Sequence, residues 1–351
     1  MSADQLFDVT IIGGGPAGLY AAFYSGLREM KTKIIEFQPQ LGGKVHVYPE
    51  KMIWDVGGLA PLPGAKLIEQ MVVQGLTFGP EVVLGEKVTS ISRSDDGTLT
   101  LHAASGREHY TKTVILAIGG GILKPTKLDI EGAERFEVAN LHYTVKSLAY
   151  FKGKTVLISG GGNSAVDWAN ELSQVAGKVI LTYRNDTLKG HEAEVTRLMN
   201  SSVDCRLNTK IGRLIAAANR EAIAQVELID VGNGSSALVA VDEVIINHGY
   251  ERDKELLANS EVKIAMKNEY CIEGGPMGQT SEPGVFAAGD ILHHDGKLHL
   301  IAGAFQDAAN AVNQAKLHIA PEANAWGMVS SHNELFKQRN RELIRELVRA
   351  D

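Results

Sequence analysis

The chain has 351 residues, a net charge of -7, and 44% hydrophobic against 22% charged residues, an ordinary composition for a globular protein long enough for two domains. The negative charge, without a long basic block, argues against a general nucleic-acid-binding protein. No apolar run approaches the length of a membrane span and no signal-peptide pattern precedes the first strand, so we expect neither a membrane segment nor a secretion signal. The two cysteines, Cys205 and Cys271, are far apart, which favours structural thiols in a reducing cytoplasm over a redox pair or a metal cluster.

A strand–turn–helix pattern near the start of the chain is its strongest signal. An apolar strand over residues 7–12 leads into Gly13, Gly15 and Gly18, which have the G-x-G-x-x-G spacing, and a helix rich in Ala, Leu, Tyr and Phe follows. Such glycines permit a tight turn, let a pyrophosphate approach the backbone, and let helix and strand pack closely, while the helix N-terminus offers N–H groups. The next strand ends in Glu36, an acid suited to the hydroxyls of an unphosphorylated adenosine ribose. The pattern predicts a site for FAD or NAD.

A second strand–turn–helix pattern follows in the middle of the chain. Its turn is Gly160–Gly162, and Ala165 stands at the third glycine position, which the motif allows. The next strand ends not in an acid but in Arg184, with Lys189 five residues later. Cations there favour a 2′-phosphate, so this turn predicts a site for NADP rather than NAD. The alternative is that both cations are solvated loop residues.

The segments between and after these turns predict the rest of the fold. Interleaved glycines and aromatics after Glu36 suit a loop laid along a flat ring, although Tyr48 could also be a partly buried residue of an ordinary loop. We predict strands over 82–83, 88–92, 99–102 and 113–119, a hairpin turn at 95–97, and helices over 64–78, 301–315 and 334–349. A late strand delivers Gly289 and Asp290 to a site.

Together these patterns predict an α/β protein with two Rossmann-like, three-layer nucleotide-binding domains, one inserted into the other. The FAD-binding domain would comprise 1–119 and 250–351, with a tail over 326–351, and the NADPH-binding domain 120–249. An acid at one turn and cations at the other are what an FAD- and NADPH-dependent reductase needs.

Over nearly all of its length the chain resembles the thioredoxin-reductase-like flavoproteins. The shared motifs are Gly13–Gly18, Gly160–Ala165 and Gly284–Asp290. Residues 141–146, LHYTVK, lie where thioredoxin reductases carry a C-x-x-C, so dithiol–disulfide chemistry is excluded at this place. With Tyr48–Lys51, Ser164–Ala169 and Ala287–Asp290, this segment resembles the ferredoxin/flavodoxin–NADP reductases of the thioredoxin-reductase type.

The resemblance implies roles residue by residue. The implied FAD-binding residues are Gly13, Gly15, Pro16, Ala17 and Gly18 at the pyrophosphate, Glu36 at the ribose, Gln40, Leu41, Gly42 and Gly43 along the cofactor, Val88 near the adenine, and Gly289 and Asp290 at the ribityl or pyrophosphate portion. The implied NADPH-binding residues are Gly160, Gly162, Asn163, Ser164, Ala165, Arg184 and Lys189. Tyr48 would stack on one face of the isoalloxazine, and Asp55 near the ring could relay a proton.

Two departures from the family pattern affect these roles. The family places two adjacent arginines and a third a few residues on, whereas Asn185 and Lys189 replace the second and third here, which predicts a weaker NADPH preference. The family tail, which covers the flavin of the partner subunit in a homodimer, has an aromatic residue or a histidine before a serine. Val329 has that place here, and His332 is the alternative cover. Both could also be ordinary packing residues of the tail.

The function implied is transfer of hydride from NADPH to FAD, followed by single electrons to ferredoxin or flavodoxin. The junctions near Gly119–Gly121 and Gly249 would allow the inserted domain to rotate. Acidic carrier proteins would dock on local cations, for which Lys124, Lys127, Lys146, Lys152 and the tail arginines are candidates. One alternative is a reductase of a small disulfide, quinone or ferric chelate, and a more remote one is a non-catalytic redox sensor.

Overall fold

The computed structural model describes residues 5–121, 123–218, 220–327 and 329–350. The chain divides into two compact units: unit 1 takes the described residues within 1–46, 51–122 and 253–351, and unit 2 those within 47–50 and 123–252. One of the two glycine turns follows a parallel strand in each unit, in a mixed sheet in unit 1 and in a parallel sheet in unit 2. The predicted α/β fold class, with one Rossmann-like fold inserted into another, is confirmed. Residues 47–50 pack with unit 2, whereas the predicted boundaries placed them in the first domain.

The elements are numbered along the whole chain. The strands are β1 (Leu6–Ile12), β2 (Thr32–Glu36), β3 (Met52–Ile53), β4 (Leu62–Pro63), β5 (Glu81–Leu84), β6 (Val88–Arg93), β7 (Leu99–Ala103), β8 (Glu108–Leu116), β9 (Leu123–Pro125), β10 (Leu141–His142), β11 (Thr155–Ser159), β12 (Lys178–Thr182), β13 (Asp204–Arg206), β14 (Thr209–Ala216), β15 (Ile223–Asp230), β16 (Ser236–Ala240), β17 (Glu243–Ile246), β18 (Tyr250–Arg252), β19 (Ile272–Glu273), β20 (Val285–Ala287) and β21 (Leu292–His293). The helices are α1 (Pro16–Leu27), α2 (Gly64–Gly75), α3 (Asn163–Leu172), α4 (Glu192–Met199), α5 (Glu255–Asn259), α6 (Ile301–Ile319) and α7 (Glu334–Ala350).

Unit 1 is built on a sheet in the order β5-β2-β1-β8-β7-β6, with β20 beside the second half of β8. β1 runs parallel to β2 and β8, and its apolar residues Val9 and Ile11 are fully buried, because both faces of a parallel sheet are covered. All strands of the parallel part end at the same edge. Gly13, Glu36 and Gly289 follow or end three of these strands, so the sheet itself brings them to one edge.

Helices α1, α2 and α6 pack on unit 1 through small residues. A Cβ added to Gly75 of α2 would lie 2.9 Å from Leu19 Cδ2 of α1, so the glycine allows the two helices to approach closely. On the other side of α1, the rings of Tyr20 and Phe305 stack with centroids 5.0 Å apart, which joins α1 to α6. These contacts fix the position of α1 between α2 and α6.

Unit 2 contains a five-stranded parallel sheet in the order β10-β17-β11-β12-β13. Its central strand β11 aligns Leu157 with Ile180 of β12 and with Val244 of β17, and all three side chains are fully buried. A separate antiparallel sheet, β14-β15-β16, covers part of this core. The second glycine turn follows β11 and leads into α3, with the end of β12 on one side and the end of β17 on the other.

Most of the predicted elements are present, with shifted ends. The predicted helix over 64–78 ends at Gly75, the one over 301–315 continues to Ile319, and the tail helix spans Glu334–Ala350. The hairpin turn at 95–97 joins the antiparallel strands β6 and β7. The sheet formed by β14, β15 and β16 was not predicted. Among the residues that the structure describes, no helix is both long and apolar enough to span a membrane.

Candidate functional site

Two positions of the first glycine turn require glycine for steric reasons. Gly13 has φ +106, and a Cβ there would lie 2.4 Å from the Ala117 carbonyl oxygen. A Cβ on Gly18 would lie 1.8 Å from the Gly13 carbonyl oxygen. These two glycines therefore close the turn and let α1 pack directly on the strand that precedes it.

The middle glycine of the first turn serves a different purpose. Gly15 has φ -78, which any residue adopts. A Cβ built on it would lie 3.6 Å from Gly43 Cα, an ordinary van der Waals contact. In the part of the chain that the structure describes, no side chain caps the N-terminus of α1, and its first turn has no acid. The glycine thus leaves open space in front of unpaired helix N–H groups, which is the arrangement that binds a phosphate. The residues present fit a dinucleotide pyrophosphate.

Glu36 is held against the same turn. The Gly14 N–H donates to Glu36 Oε2 at 2.6 Å, and the Gln38 N–H donates to Glu36 Oε1 at 2.7 Å. The side chain is buried, so its orientation is fixed by these two charge-assisted bonds. Each oxygen has a further lone pair that can accept from a ribose hydroxyl.

The loop over residues 40–43 lies on the first glycine turn. The Gly42 N–H donates to the Gly14 carbonyl at 2.8 Å, and a Cβ on Gly43 would lie 2.7 Å from Gly15 Cα. Leu41 is buried, and its carbonyl oxygen lies 2.8 Å from His46 Nε2. The structure therefore brings the predicted loop residues Leu41, Gly42 and Gly43 to the turn, whereas Gln40 is exposed in the same loop.

Two further predicted FAD residues belong to unit 1. Gly289 follows β20 with φ +79, and a Cβ there would lie 3.0 Å from the Ala17 Cβ, so this turn meets the first turn of α1. Asp290 is exposed beside it. Val88 lies in β6 with its side chain in the buried apolar core, so only its backbone remains to contact an adenine.

The second glycine turn is more open than the first. A Cβ on Gly160 would lie 2.5 Å from the Asn247 carbonyl oxygen, so this first position again requires glycine. Gly162 has φ -91, and no described residue has an atom within 4 Å of a Cβ built on it. Asn163 and Ser164 begin α3, whose N-terminus no described side chain caps, and both are exposed. The turn therefore also fits a pyrophosphate.

The predicted phosphate-binding cations line an open cavity at the end of β12. The Lys189 N–H donates to the Gly161 carbonyl at 2.7 Å, which fixes that residue beside the glycine turn. The cavity has a volume of ≈ 470 Å³ and is lined by Arg184, Asn185, Asp186, Thr187, Lys189 and Asn208. Neither Arg184 nor Lys189 forms an ion pair with any carboxylate in the described part of the chain. Two unpaired cations beside a helix N-terminus suit a phosphate monoester.

His248 at this edge was not identified from the sequence. Its Nε2 lies 2.8 Å from the Ser159 hydroxyl at the end of β11. Desolvation of the ring by the surrounding protein and the nearby Arg184 charge both lower the pKa of His248, so the imidazole is neutral near pH 7. The sequence feature that could have identified His248 is its position two residues after β17, because residues that follow neighbouring parallel strands meet at one edge of the sheet.

The segment 141–146 contains an ion-pair cluster in place of thiols. His142 Nε2 lies 2.6 Å from Glu243 Oε2, and Lys154 Nζ donates to Glu243 Oε1 at 2.7 Å. Burial raises the pKa of Glu243, but the bonds from His142 and Lys154 outweigh it and hold this pKa below its usual value. Cys205 lies in unit 2 and Cys271 in unit 1.

The four predicted catalytic residues, Tyr48, Asp55, Val329 and His332, belong to other segments than the two glycine turns. Tyr48 packs on the apolar core of unit 2 around Phe151, and Glu50 Oε2 accepts from the Leu148 N–H at 2.7 Å, which anchors this segment. Asp55 is exposed in the loop after β3. Their roles at the flavin stay predictions.

Val329 and His332 are exposed in the tail, which is anchored at the far end of α1 from the first glycine turn. The Gly327 N–H donates to the Tyr24 hydroxyl at 3.2 Å, and Arg28 Nη2 donates to the Asn324 carbonyl at 2.6 Å. α1 has 12 residues and so measures roughly 18 Å. The start of the tail is therefore directed away from the glycine turn of its own chain.

Comparison with known proteins defines the class. Residues 7–315 match the pyridine nucleotide-disulphide oxidoreductase family, and the chain belongs to this family. It is 66% identical over 349 residues to ferredoxin–NADP reductase 1 of Bacillus mycoides strain KBAB4, which covers 99% of this chain and 100% of that protein. It is 63% identical over 348 residues to ferredoxin–NADP reductase 2 of Exiguobacterium sibiricum, with 99% of each chain covered. Within the family, the chain groups with proteins of this name.

Solved structures agree on the fold. The thioredoxin reductase of Lactococcus lactis aligns with a TM-score of 0.73 at 26% identity, over 90% of this chain and 99% of that one. The thioredoxin reductase of T. acidophilum aligns with a TM-score of 0.74 at 23% identity, over 89% and 98%. The tail after residue 315 lies beyond the family match.

Proposed function

We infer that this chain is an NADPH-dependent flavoprotein reductase that passes electrons from NADPH through FAD to ferredoxin. The observation that carries this inference is the pair of glycine turns with opposite partners. The first is beside the buried carboxylate of Glu36, which suits an unphosphorylated ribose, and the second is beside the unpaired Arg184 and Lys189, which suit a 2′-phosphate. Homologues named ferredoxin–NADP reductase support the same assignment.

We propose that unit 1 holds FAD. The helix N-terminus at Gly15 and the turn at Gly289 would bind the pyrophosphate and ribityl portion, and Glu36 would bind the adenosine ribose. Closely packed glycines and buried partners make this site rigid. A rigid, enclosed site suits a cofactor that stays bound through many turnovers.

We propose that unit 2 binds NADPH. Its open turn at Gly162 and exposed cations suit a substrate that must enter and leave in each cycle. Asp186 in the same cavity adds a negative charge near the proposed 2′-phosphate, and Lys189 lacks the bidentate fork of arginine. Both features support the weaker NADPH preference expected from the sequence.

The chemistry that FAD supplies when bound is acceptance of a hydride from NADPH and release of its two electrons one at a time. The residues of this chain bind and orient the two nucleotides and control access of solvent. Dithiol–disulfide chemistry has no part at the segment 141–146, which has no cysteine, and burial raises the pKa of Cys205 in the same unit, which disfavours its thiolate.

Rotation of unit 2 about the junctions near Gly119–Gly121 and Gly249 is part of the proposal. Gly119 and Gly121 have φ +57 and +82, and Gly249 has φ +97. Glycine is the residue that changes such backbone angles at least cost, so these positions are suited to act as hinges.

We propose flavodoxin as a second carrier and the cytoplasm as the location. Carriers of this type are acidic, and three of the predicted docking lysines of unit 2, Lys124, Lys146 and Lys152, are exposed and have no ion-pair partner among the described residues. Lys127 is also exposed but pairs with Glu137, which weakens its part in docking.

We also propose a homodimer in which the tail of one chain covers the flavin of the other. The tail starts at the far end of α1 from its own glycine turn, so a cover formed by Val329 or His332 fits a neighbouring subunit better than its own. Apolar residues of α7 are exposed, with Leu343 49%, Ile344 58% and Val348 72% accessible, as expected for a helix that a partner covers.

The test is anaerobic reduction of purified ferredoxins and flavodoxins by NADPH, with NADH in parallel and cytochrome c as the final reporter. We expect fast reduction that depends on the added carrier and is faster with NADPH. Reduction of the flavin by NADPH without transfer to any carrier contradicts the proposal, and turnover with a quinone, ferric chelate or small disulfide would then identify the acceptor. A flavin that NADPH does not reduce would favour the redox sensor.

A further inference from the structure

Unit 1 contains a cluster of three buried ionisable side chains that have no role in the site described so far. Lys297 and Asp307 are each 5% exposed and form an ion pair, and the His294 side chain is 8% exposed. His294 Nε2 lies 3.1 Å from Asp307 Oδ1. Asp307 is in the second turn of α6, while the other two residues precede that helix.

The cluster forms hydrogen bonds with both backbone polar groups of Gly289, its carbonyl oxygen and its N–H. Lys297 Nζ donates to the Gly289 carbonyl oxygen at 2.7 Å. The Gly289 N–H donates to Asp307 Oδ2 at 3.1 Å. Gly289 is therefore fixed through its N–H and its carbonyl by the same ion pair, immediately before Asp290.

The place of this cluster is informative because burying an ion pair is costly. Well-packed apolar residues of similar volume stabilise a fold as well as a buried ion pair does, or better. The Gly289 turn is left-handed at φ +79 and buried beside Ala17, and the ion pair adds directional hydrogen bonds that fix its peptide planes, which apolar packing does not supply. A cluster that satisfies this peptide from both sides supplies orientation rather than stability.

We propose that Lys297, Asp307 and His294 are positioning residues that set the Gly289–Asp290 turn against FAD. The inference rests on the proposed function, which places this turn at the ribityl or pyrophosphate portion. Lys297 and Asp307 act by fixing the Gly289 peptide, and His294 acts by orienting the Asp307 carboxylate. None of the three residues contacts the cofactor in this proposal. Their removal loosens the contact between the Gly289–Asp290 turn and FAD.

The experiment compares Lys297→Met with the double variant Lys297→Met/Asp307→Leu. The single variant leaves the buried Asp307 carboxylate without its lysine partner and loses both thermal stability and FAD affinity. The double variant removes both charges, so its apoprotein recovers thermal stability. It does not recover FAD affinity, because the Gly289 peptide still lacks its partners. We expect a dissociation constant for FAD at least 10-fold above wild type in both, measured by quenching of flavin fluorescence during titration of the apoprotein.

The matched control is Lys154→Met, which removes the lysine from the partly buried pair with Glu243 in unit 2. It should lose stability but keep wild-type FAD affinity. The flavin midpoint potential is the second readout, and it should shift in the double variant and stay unchanged in the control.

A double variant with native FAD affinity and potential would overturn the inference and leave the cluster a structural one. These measurements use neither NADPH nor ferredoxin. A wild-type protein that binds no FAD would instead contradict the proposed function itself, so the two failures are distinguishable.

Discussion

The two glycine turns share a spacing but differ in how tightly the protein encloses them. In the first turn a Cβ at Gly18 would meet a backbone oxygen at 1.8 Å, and the nearby acid is hydrogen-bonded to the turn itself. In the second turn Ala165 occupies the same position with its side chain fully buried, and a Cβ on Gly162 would meet open space. The first turn is covered by the loop over residues 41–43 and bonded to Glu36, whereas the second is open at Gly162 and is followed by solvated cations.

This difference corresponds to two ways of using a nucleotide. A cofactor that remains bound is best served by a site with few degrees of freedom, because less is lost on binding. A substrate that is exchanged in every cycle needs a site it can leave quickly, with specificity supplied by a few charges. The same strand–turn–helix unit serves both purposes, because side chains outside the motif decide whether the nucleotide stays bound or is exchanged.

The largest effect is expected from Gly18→Ala. The new methyl group would collide with the Gly13 carbonyl, so the turn must open and α1 must shift, at a cost of about 1–3 kcal/mol or more. We expect a purified protein with little bound FAD, measured by its absorbance near 450 nm relative to protein. Ala165→Gly is the matched change at the second turn, and it should keep its FAD and lose only about 1 kcal/mol of stability. Normal FAD content in Gly18→Ala would contradict the assignment of the first turn.

A smaller effect is expected from Arg184→Ala combined with Lys189→Ala. Both cations are exposed and line the cavity next to the second turn, so their loss removes attraction for the 2′-phosphate and little else. We expect the KM for NADPH to rise about 10-fold, equivalent to about 1.4 kcal/mol, with the KM for NADH nearly unchanged. Steady-state kinetics with both nucleotides provide the measurement. Equal increases for NADPH and NADH would show that these cations do not contact the 2′-phosphate.

The smallest effect is a pH dependence of stability that arises from His248. The pKa of His248 is lowered in the folded protein from 6.5, so the unfolded chain takes up its proton first as the pH falls. The contribution of this residue is fully present above pH 6.5 and is lost as the pH falls through the lowered value. The midpoint temperature for thermal unfolding of the apoprotein should therefore fall less steeply between pH 8 and pH 5 for His248→Gln than for wild type. Identical slopes would mean that the ring titrates normally in the folded protein.

The sequence was sufficient for the parts of the fold that depend on local pattern. Gly13, Gly18 and Gly160 are glycines for steric reasons that the motif encodes, and the apolar strands before them predicted the parallel strands of both sheets. The β14-β15-β16 sheet was missed, although its strands alternate polar and apolar residues and Asn233-Gly234 between β15 and β16 is a hairpin-turn signal.

Contacts between residues that are distant in the sequence could not be predicted from it. His248 meets Ser159 only because β11 and β17 are neighbours in the sheet, and Asp307 meets Gly289 only because α6 packs beside the end of β20. Tyr48 was predicted from its loop, whereas its observed packing depends on the core of unit 2. Sequence spacing identifies the elements that carry a site, and packing decides which side chains meet.

The most direct test of the account uses the middle glycines, Gly15 and Gly162, because an alanine fits the backbone at both and meets at most one ordinary contact. Both single alanine variants should fold, so any loss reports on the nucleotide that the turn binds. We predict that Gly15→Ala has low FAD content and that Gly162→Ala retains FAD but has a raised KM for NADPH. The measurement is FAD content together with NADPH affinity for both proteins. Loss of FAD from Gly162→Ala, or full FAD content in Gly15→Ala, would contradict the division of labour between the two turns.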